Sequence, residues 1–201
     1  MNIFFDLDGT LIDSRPRLYH LFQYLVESSN LSFEEYWDLK RNKINHYKIL
    51  TSKFNYTQDQ YNDFENKWMC EIELKKWLDL DTPFEGVNSL LAQLSERHSL
   101  YIVTARQSIV NTMQQLEGFG WYKYISSTLI TEQKNSKTHL IWNSIKVSPE
   151  DWFIGDTGKD IEAGKELGIR TAAVLTGFLN KQCLEQYQPD IIIEKATKII
   201  L

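Results

Sequence analysis

Two carboxylates, those of Asp6 and Asp8, stand near the start of the chain directly after the apolar residues 3–5. A short apolar run of this kind is typical of a buried strand, and the following Gly9 lets the backbone turn at once. In an open α/β sheet, ligands bind at the carboxyl ends of the strands, so both acids are expected at the mouth of a crevice. Because two anions this close repel each other unless a cation lies between them, the motif predicts a site for a divalent metal ion.

Three further segments carry polar side chains at the expected end of a strand or start of a helix. Thr104 and Asp156 each end an apolar run, and Asp160 follows four residues after Asp156. Lys137 stands at the start of a helical pattern, with Lys134 three residues earlier as an alternative. If the strands are parallel, all these segments meet at one edge of the sheet. Carboxylates suit Mg²⁺, and hydroxyl and ammonium groups donate to phosphate oxygens, so the combination predicts a phosphoryl site.

Each segment also has a simpler explanation when it is taken alone. Asp156 and Asp160 can merely open a helix, because acidic residues favour the first turn. Taken alone, Thr104 is more typical of a buried strand residue, and Lys137 of a solvated surface charge. Arg106, directly after the second motif, either contacts substrate or an acid, or is a surface residue at a helix start. The occurrence of these segments together in one chain favours the site.

The elements that must position these residues alternate along the second part of the chain. Strands are expected at Ile3–Asp6, Leu100–Thr104, Ile125–Ile130, Trp152–Gly155, Thr171–Leu175 and Asp190–Ile193. Helices are expected at Val87–Glu96, Ser108–Glu117, Thr138–Lys146 and Lys159–Leu167. Near-continuously apolar strands that alternate with helices indicate a Rossmann-like parallel sheet in a three-layer α/β/α fold.

The first expected strand is separated from the second by about ninety residues, far more than a crossover requires. Capping boxes at 32–35 and 57–60 predict helix starts in this interval, and apolar residues at helical spacing follow from Tyr61 to Ile72. We therefore predict an α/β core domain of residues 1–14 and 83–201, with an all-helical domain of residues 15–82 inserted. Arg17 and His46 in this insertion could face a substrate, although such residues are more often exposed.

Composition limits the classes of partner. With 22 basic and 27 acidic residues the net charge is −5, which does not favour a nucleic acid or an anionic membrane. The start of the chain has no basic leader segment, no apolar run approaches membrane-spanning length, and the histidines show no zinc-ligand spacing. The two cysteines, Cys70 and Cys183, are far apart. We expect a cytoplasmic protein that is a monomer or a homodimer.

The order and spacing of the motifs resemble a known family. Asp-x-Asp-Gly-Thr at 6–10 and Gly-Asp-x-x-x-Asp at 155–160 are together similar to the haloacid dehalogenase-like hydrolase superfamily, in the phosphatase branch with a helical C1-type cap. The segments Leu-Glu-Gly-Phe-Gly at 116–120 and Thr-Gly-Phe at 176–178 resemble phosphoglycolate phosphatases. The resemblance implies a Mg²⁺-dependent phosphatase that hydrolyses the phosphomonoester of a small metabolite beneath a closing cap.

The resemblance also implies a role for each matched residue. Asp6 is expected to be the nucleophile that forms an aspartyl-phosphate, and Asp8 the general acid and then the base. Mg²⁺ is expected on the Asp6 carboxylate, the Asp8 backbone carbonyl and Asp156, with Asp160 acting through water or steadying Lys137. The implied catalytic residues are Asp6, Asp8, Thr104 and Lys137, and the implied substrate contacts are Thr10, Thr104, Ala105, Arg106 and Lys137.

Two alternatives stay open at this point. A phosphotransferase such as a sugar phosphomutase would use the same residues and pass the phosphoryl group to a second hydroxyl instead of water. A non-catalytic binding protein on the same scaffold is also conceivable, although such proteins usually lose an acid, and here all four are present. Within the resembled superfamily, dehalogenases lack an acid at the position of Asp8 and transport ATPases carry Thr, so hydrolysis of a phosphomonoester is favoured.

Overall fold

The computed structural model describes residues 1–200 and contains a parallel sheet of six strands. In chain order the strands are β1 (Asn2–Phe5), β2 (Ile12–Asp13), β3 (Thr82–Pro83), β4 (Ser99–Thr104), β5 (Ser127–Ile130), β6 (Trp152–Gly155), β7 (Arg170–Val174) and β8 (Ile191–Ile193). The large sheet has the order β5-β4-β1-β6-β7-β8, and every neighbouring pair in it is parallel. The short strands β2 and β3 form a separate antiparallel pair.

Helices occupy both faces of the sheet and most of the interval between β2 and β3. They are α1 (Arg15–Leu25), α2 (Phe33–Arg41), α3 (His46–Phe54), α4 (Gln58–Glu71), α5 (Lys75–Leu78), α6 (Val87–Ser95), α7 (Ile109–Gly118), α8 (Lys137–Ser144), α9 (Gly158–Glu166) and α10 (Lys181–Glu185), followed by a 3₁₀ turn at Ala196–Lys198. The predicted fold class, a parallel Rossmann-like sheet between helices, is confirmed.

The expected strand and helix ends agree with the structure to within one or two residues. At the start of β5, the backbone N–H of Ile125 bonds to the carbonyl of Trp121, so this residue closes a turn and the strand begins at Ser127. At the end of α8, Ile145 adopts an extended backbone, which ends the helix two residues before the expected Lys146. These shifts move no candidate site residue.

Alternation along β1 explains why the sheet is covered on both faces. Ile3 and Phe5 are fully buried in a cluster that includes Leu91 of α6, whereas Phe4 is fully buried in another cluster that includes Ile141 of α8. Because side chains alternate across a strand, this pattern requires an apolar layer on each side. The free edge for ligands is then the line where the strands end.

Helices α1–α5 enclose an apolar cluster of their own. Ser32 and Thr57 open α2 and α4 through the expected capping boxes. Phe64 and Ile72 are buried in this cluster, and Tyr61 and Trp68 pack against it. The aromatic residues at helical spacing are thus mainly core residues of the helical segment.

Among residues 1–200, none of the helices combines the length and apolar character needed to cross a bilayer.

Candidate active site

Three strands and the helix α8 deliver four of the predicted residues to one edge of the sheet. Asp6 follows β1, Thr104 ends β4 and Asp156 follows β6, while Lys137 begins α8 after β5. Parallel strands end at the same edge, so their terminal side chains converge. A cavity of about 280 Å³ opens there, and its walls include these four residues as well as Asp8, Ala105 and Arg106.

Three buried carboxylates form the centre of this edge. Asp6, Asp156 and Asp160 each present an oxygen within 4.8 Å of the other two. Burial raises the pKa of Asp6 to about 7, opposed by Lys137 and reinforced by Asp160. Burial and the neighbouring Asp6 and Asp160 also hold the pKa of Asp156 well above its usual range. Burial thus disfavours the charged form of these acids, and a hard divalent cation held by their three oxygen donors would offset that cost.

Lys137 is the lysine that reaches these acids. Its Nζ donates to Oδ1 of Asp6 and, at 2.5 Å, to Oδ1 of Asp160. Although burial alone would lower the pKa of the Lys137 ammonium, the two carboxylates raise it above its ordinary value. Lys134 instead points to solvent, with 72% of its side chain exposed, and pairs with Glu132. The geometry selects Lys137 from the two candidates.

Asp156 lies in a cradle that only glycine backbone can form. The backbone N–H of Phe178 donates to Oδ2 of Asp156 at 2.5 Å. A Cβ atom on Gly177 would stand 1.9 Å from the same oxygen, and one on Gly9 would stand 2.7 Å from it. Gly9 also has a φ of +83°, which L side chains rarely adopt. The backbone thus closes on this carboxylate from two sides.

Asp160 and Thr10 connect the acids to the surrounding backbone. Oδ2 of Asp160 accepts hydrogen bonds from the backbone N–H of Thr157 at 3.0 Å and from its hydroxyl at 2.6 Å, so this acid also caps α9. The Thr10 hydroxyl lies 3.4 Å from Oδ1 of Asp156 and 3.5 Å from Oδ2 of Asp6. Thr10 is buried among carboxylates and is not part of the cavity wall, unlike the other expected substrate contacts.

Asp8 differs from what the sequence predicts. Its carboxylate accepts two hydrogen bonds from Arg106, at 2.8 Å to Oδ2 and 2.9 Å to Oδ1, and Oδ1 also accepts from Arg17. Burial alone would raise the pKa of Asp8, but the two guanidinium groups hold it well below its usual range. The arginines therefore favour a deprotonated Asp8, whereas the expected role of general acid needs a protonated one. In this position Asp8 is an acceptor of arginine hydrogen bonds and has no proton to give.

Asp81 completes this cluster, and sequence patterns gave no sign of it. It is fully buried and accepts hydrogen bonds from Arg17 and from Arg106, each at 3.0 Å. Its amide partner is Gln115 of α7, also at 3.0 Å. Burial raises the pKa of Asp81 to about 6, opposed by Arg17 and then reinforced by Asp8. Asp81 lies just before β3 in the stretch Leu78-Asp79-Leu80-Asp81-Thr82, and the residues that it contacts could not be identified from this local spacing.

The match to known proteins decides the family. The model of the haloacid dehalogenase-like hydrolases matches residues 3–174. The chain belongs to this family. The prediction of an enzyme, a phosphatase of the haloacid dehalogenase-like family, is thereby confirmed, and the alternative of a non-catalytic protein is set aside.

Individual relatives of this haloacid dehalogenase-like hydrolase match over nearly their whole length. Pyrophosphatase PpaX from Oceanobacillus iheyensis is 30% identical, with 98% of this chain and 94% of that protein covered. A phosphoglycolate phosphatase from Mesorhizobium japonicum is 22% identical, with 95% and 89% covered. A solved structure of a haloacid dehalogenase-like hydrolase from Streptococcus pneumoniae has a TM-score of 0.77 at 25% identity, with 96% of this chain and 93% of that chain covered.

Proposed function

We propose that the protein is a Mg²⁺-dependent phosphatase that hydrolyses a small phosphomonoester through an aspartyl-phosphate on Asp6. The observation that carries the proposal is the convergence of Asp6, Asp156, Asp160 and Lys137 at the carboxyl edge of the sheet. A nucleophile, a set of hard oxygen donors and a phosphate-binding cation are there side by side. Phosphoryl transfer needs these parts and little other chemistry.

In the first step, the Asp6 carboxylate attacks phosphorus while the ester oxygen leaves on the opposite side. One Asp6 O–P bond forms and one P–O ester bond breaks. The leaving alkoxide takes a proton from Asp8 and departs as the alcohol. The covalent route divides one difficult displacement into two easier ones.

In the second step, water attacks the phosphorus of the aspartyl-phosphate, and Asp8 takes a proton from that water. The O–P bond to Asp6 breaks, which regenerates the carboxylate and releases phosphate. Thr104 and the ammonium of Lys137 line the cavity beside Asp6 and would hold the phosphoryl oxygens through both steps. Asp160 orients Lys137 through its 2.5 Å contact.

Asp6 and Asp156 would hold Mg²⁺ directly, together with the Asp8 backbone carbonyl, and Asp160 would act through water or through Lys137. Bound Mg²⁺ would offset the negative charge of the carboxylates and of the phosphoryl oxygens. The raised pKa values of Asp6 and Asp156 support this assignment, because a bound cation would stabilise the charged carboxylates that burial disfavours.

We further propose that residues 15–82 are a cap over residues 1–14 and 83–201. Helices α1 and α4 contribute Leu18, Trp68 and Met69 to the cavity wall opposite the acids. Such a cap would exclude water while Asp6 is phosphorylated and would open to release the alcohol. The cytoplasmic location and the monomeric or dimeric state remain predictions.

The test of this function is the Asp6→Asn variant. Wild-type protein should release inorganic phosphate from an aryl phosphate with Mg²⁺ and not with EDTA. The variant should lose this activity to background, because an amide is a poor nucleophile, while cooperative thermal unfolding in EDTA shows that it still folds. Near-normal turnover in Asp6→Asn would refute the covalent mechanism.

The phosphotransferase alternative uses the same residues, and its products distinguish it from a phosphatase. A phosphatase releases phosphate from a sugar phosphate, whereas a mutase returns an isomeric sugar phosphate. Measuring both products in one reaction distinguishes them.

A further inference from the structure

Two arginines lie in the cavity wall beside the proposed phosphoryl site, and both are almost completely buried. Arg17 comes from α1 and Arg106 from the loop after β4; their side chains are 4% and 3% exposed. Asp8 lies between them with 20% of its side chain exposed toward the cavity. Buried arginines are uncommon unless they are paired. Their partners therefore indicate what this part of the cavity is built to hold.

Asp8 is bound here as a carboxylate ligand would be. Arg106 gives it two parallel hydrogen bonds, from Nε at 2.8 Å and from Nη2 at 2.9 Å, and Arg17 Nη2 donates to the same carboxylate. Paired N–H groups of this geometry match the two oxygens of a carboxylate or a phosphate. The two arginines thus form an anion site that Asp8 fills in this structure.

The arginines are held in position independently of Asp8. Asp81 accepts from Arg17 Nε at 3.0 Å and from Arg106 Nη2 at 3.0 Å, and Gln115 accepts from Arg106 Nη1 at 2.6 Å. These contacts lie on the side away from the cavity, where Asp81 is fully buried. The two guanidinium groups would stay in place if Asp8 moved.

If Asp8 moves away from the two arginines, another anion is needed in its place. The cluster contains two guanidinium groups and two carboxylates, those of Asp8 and Asp81. When Asp8 turns to the leaving oxygen, as its proposed role requires, the guanidinium N–H groups that face the cavity would lose their carboxylate partner. The nearest further acid, Glu73, already accepts hydrogen bonds from the backbone N–H groups of Gln107 and Ser108, and buried donors without a partner are costly. A second anion supplied by the substrate would provide the missing partner.

Beside the two arginines, the cavity wall contains a further hydrogen-bond donor that has no partner among residues 1–200. Ser14 is 1% exposed and lines the same cavity. Its hydroxyl oxygen is buried and forms no hydrogen bond with any of residues 1–200. Because buried hydroxyl groups are normally paired, this one is available to a ligand.

We propose that Arg17 and Arg106, with the hydroxyl of Ser14, bind a second anionic group carried by the leaving group of the substrate. The enzyme would then select small phosphomonoesters or phosphoanhydrides whose leaving group ends in a carboxylate or a phosphate. That group takes the place of Asp8 on the arginines and leaves Asp8 free to turn toward the leaving oxygen. The inference rests on the proposed phosphatase function and identifies its substrate class and specificity residues.

The test is an internal competition between two phosphate esters in one reaction. Phosphoglycolate carries a carboxylate, and 2-hydroxyethyl phosphate has a similar size but no second charge. The wild type should prefer phosphoglycolate by at least about tenfold in kcat/KM, and Arg17→Met should reduce this preference by about ten- to a hundredfold, the range of a charge-assisted hydrogen bond. The ratio is independent of how much of a variant preparation is active. A second competition, with pyrophosphate, distinguishes a carboxylate from a phosphate as the preferred second anion.

The matched control is Arg15→Met, on the same helix. Arg15 pairs with Asp13, is 32% exposed and lies outside the cavity wall, so this variant should keep the wild-type ratio. If Arg17→Met fails to fold, Arg17→Lys serves in its place, because it keeps the charge and loses the paired donors. It too should reduce the preference for phosphoglycolate.

An unchanged ratio in the folded Arg17 variant would overturn the inference and leave the arginines as structural ion pairs. So would a wild-type enzyme that hydrolyses an aryl phosphate with Mg²⁺ but treats the competing esters alike. A wild-type protein that hydrolyses none of these compounds with Mg²⁺ would instead refute the proposed function itself.

Discussion

Asp8 shows how one residue can have contacts that conflict with its proposed chemistry. A general acid must release a proton, yet the two arginines around Asp8 stabilise its deprotonated form. The conflict disappears if the arginine-bound position is a resting position and catalysis uses another rotamer. Nothing in the motif Asp-x-Asp-Gly-Thr indicates such a resting position, because Arg17 and Arg106 lie elsewhere in the sequence.

The acid role itself is tested at this residue through the leaving group. Asp8→Asn should lower kcat/KM for an alkyl phosphate by about a hundredfold or more, because an alkoxide needs a proton when it departs. An aryl phosphate has a leaving group that scarcely needs one, so its loss should be several times smaller. Both rates are measured by phosphate release. Equal losses on the two substrates would mean that Asp8 has no acid role.

Sequence patterns placed some of these residues and not others, for a physical reason. Asp6 and Asp156 each follow an apolar strand, and a parallel sheet brings all such strand ends to one edge. Asp81 pairs with Arg17, which lies 64 positions away in the sequence, and no local sequence pattern relates two residues that far apart. Sequence patterns can identify residues at the end of a single strand or helix. A cluster of side chains from several separate elements can be identified only from the structure.

At the scale of elements, the loop after β7 matters because its backbone packs directly on Asp156. Gly177→Ala would place a methyl group 1.9 Å from a carboxylate oxygen, so the loop or Asp156 would have to move. We expect a loss of about 1–3 kcal/mol of stability and at least about a tenfold loss of Mg²⁺-dependent activity. Urea unfolding and phosphate release measure the two effects.

Gly118→Ala is the matched control for this substitution. Gly118 ends α7, and a Cβ atom there would meet nothing within 4 Å. The change should therefore leave activity intact and shift stability only slightly, in the stabilising direction, because alanine restricts the unfolded chain. Equal effects of the two substitutions would contradict a special role for the loop after β7.

The helical segment contains a buried histidine that makes its stability depend on pH. Burial, and then the charge of Lys40, hold the pKa of His46 well below 6.5, while its ring packs on Trp68 and lies 2.9 Å from the Tyr36 hydroxyl. Below about pH 6.5 the unfolded chain therefore binds a proton that the folded chain does not, and stability falls by up to about 1.4 kcal/mol per pH unit. The contribution of neutral His46 to the free energy of unfolding is complete above the pKa of histidine in the unfolded chain, about 6.5, and it is lost as pH falls below that value.

The measurement is urea unfolding of the wild type and of His46→Gln at pH 7, 6 and 5. Glutamine keeps a hydrogen-bonding group for Tyr36 and does not titrate, so the variant should be less stable at pH 7 but lose less stability toward pH 5. Other titrating groups are common to both proteins and cancel in the comparison. Parallel pH profiles would exclude His46 as the source.

At the scale of the whole molecule, residues from both parts of the chain meet around one cavity. Glu73, just after α4, accepts hydrogen bonds from the backbone N–H groups of Gln107 and Ser108 at 2.7 Å each, directly beside Arg106. Trp37 of α2 packs on Phe178, whose backbone N–H binds Asp156. The helical segment is therefore joined to the same loops that hold the acids.

The alternation of strands and helices predicted the α/β architecture, but it could not predict these contacts, because they depend on how two separately packed parts meet.

If the three acids hold Mg²⁺ as proposed, they couple the stability of the molecule to metal binding. Without a cation, Asp6 and Asp156 are buried beside one another with raised pKa values, which is a cost to the folded state. Mg²⁺ bound as proposed would favour the folded chain over the unfolded one, so at about 100 times its Kd it should add about 2.7 kcal/mol. For a chain of this size that raises Tm by about 5–10 °C.

Asp156→Asn should abolish this shift and be at least as stable as wild type in EDTA, since it removes one of the repelling carboxylates and keeps an oxygen for the Phe178 N–H. Asp63→Asn, at an exposed acid of α4 that pairs with Lys67, should keep the full shift. A Mg²⁺ shift that survives in Asp156→Asn would place the cation elsewhere, and the buried carboxylates would then need another explanation for how their charge is balanced.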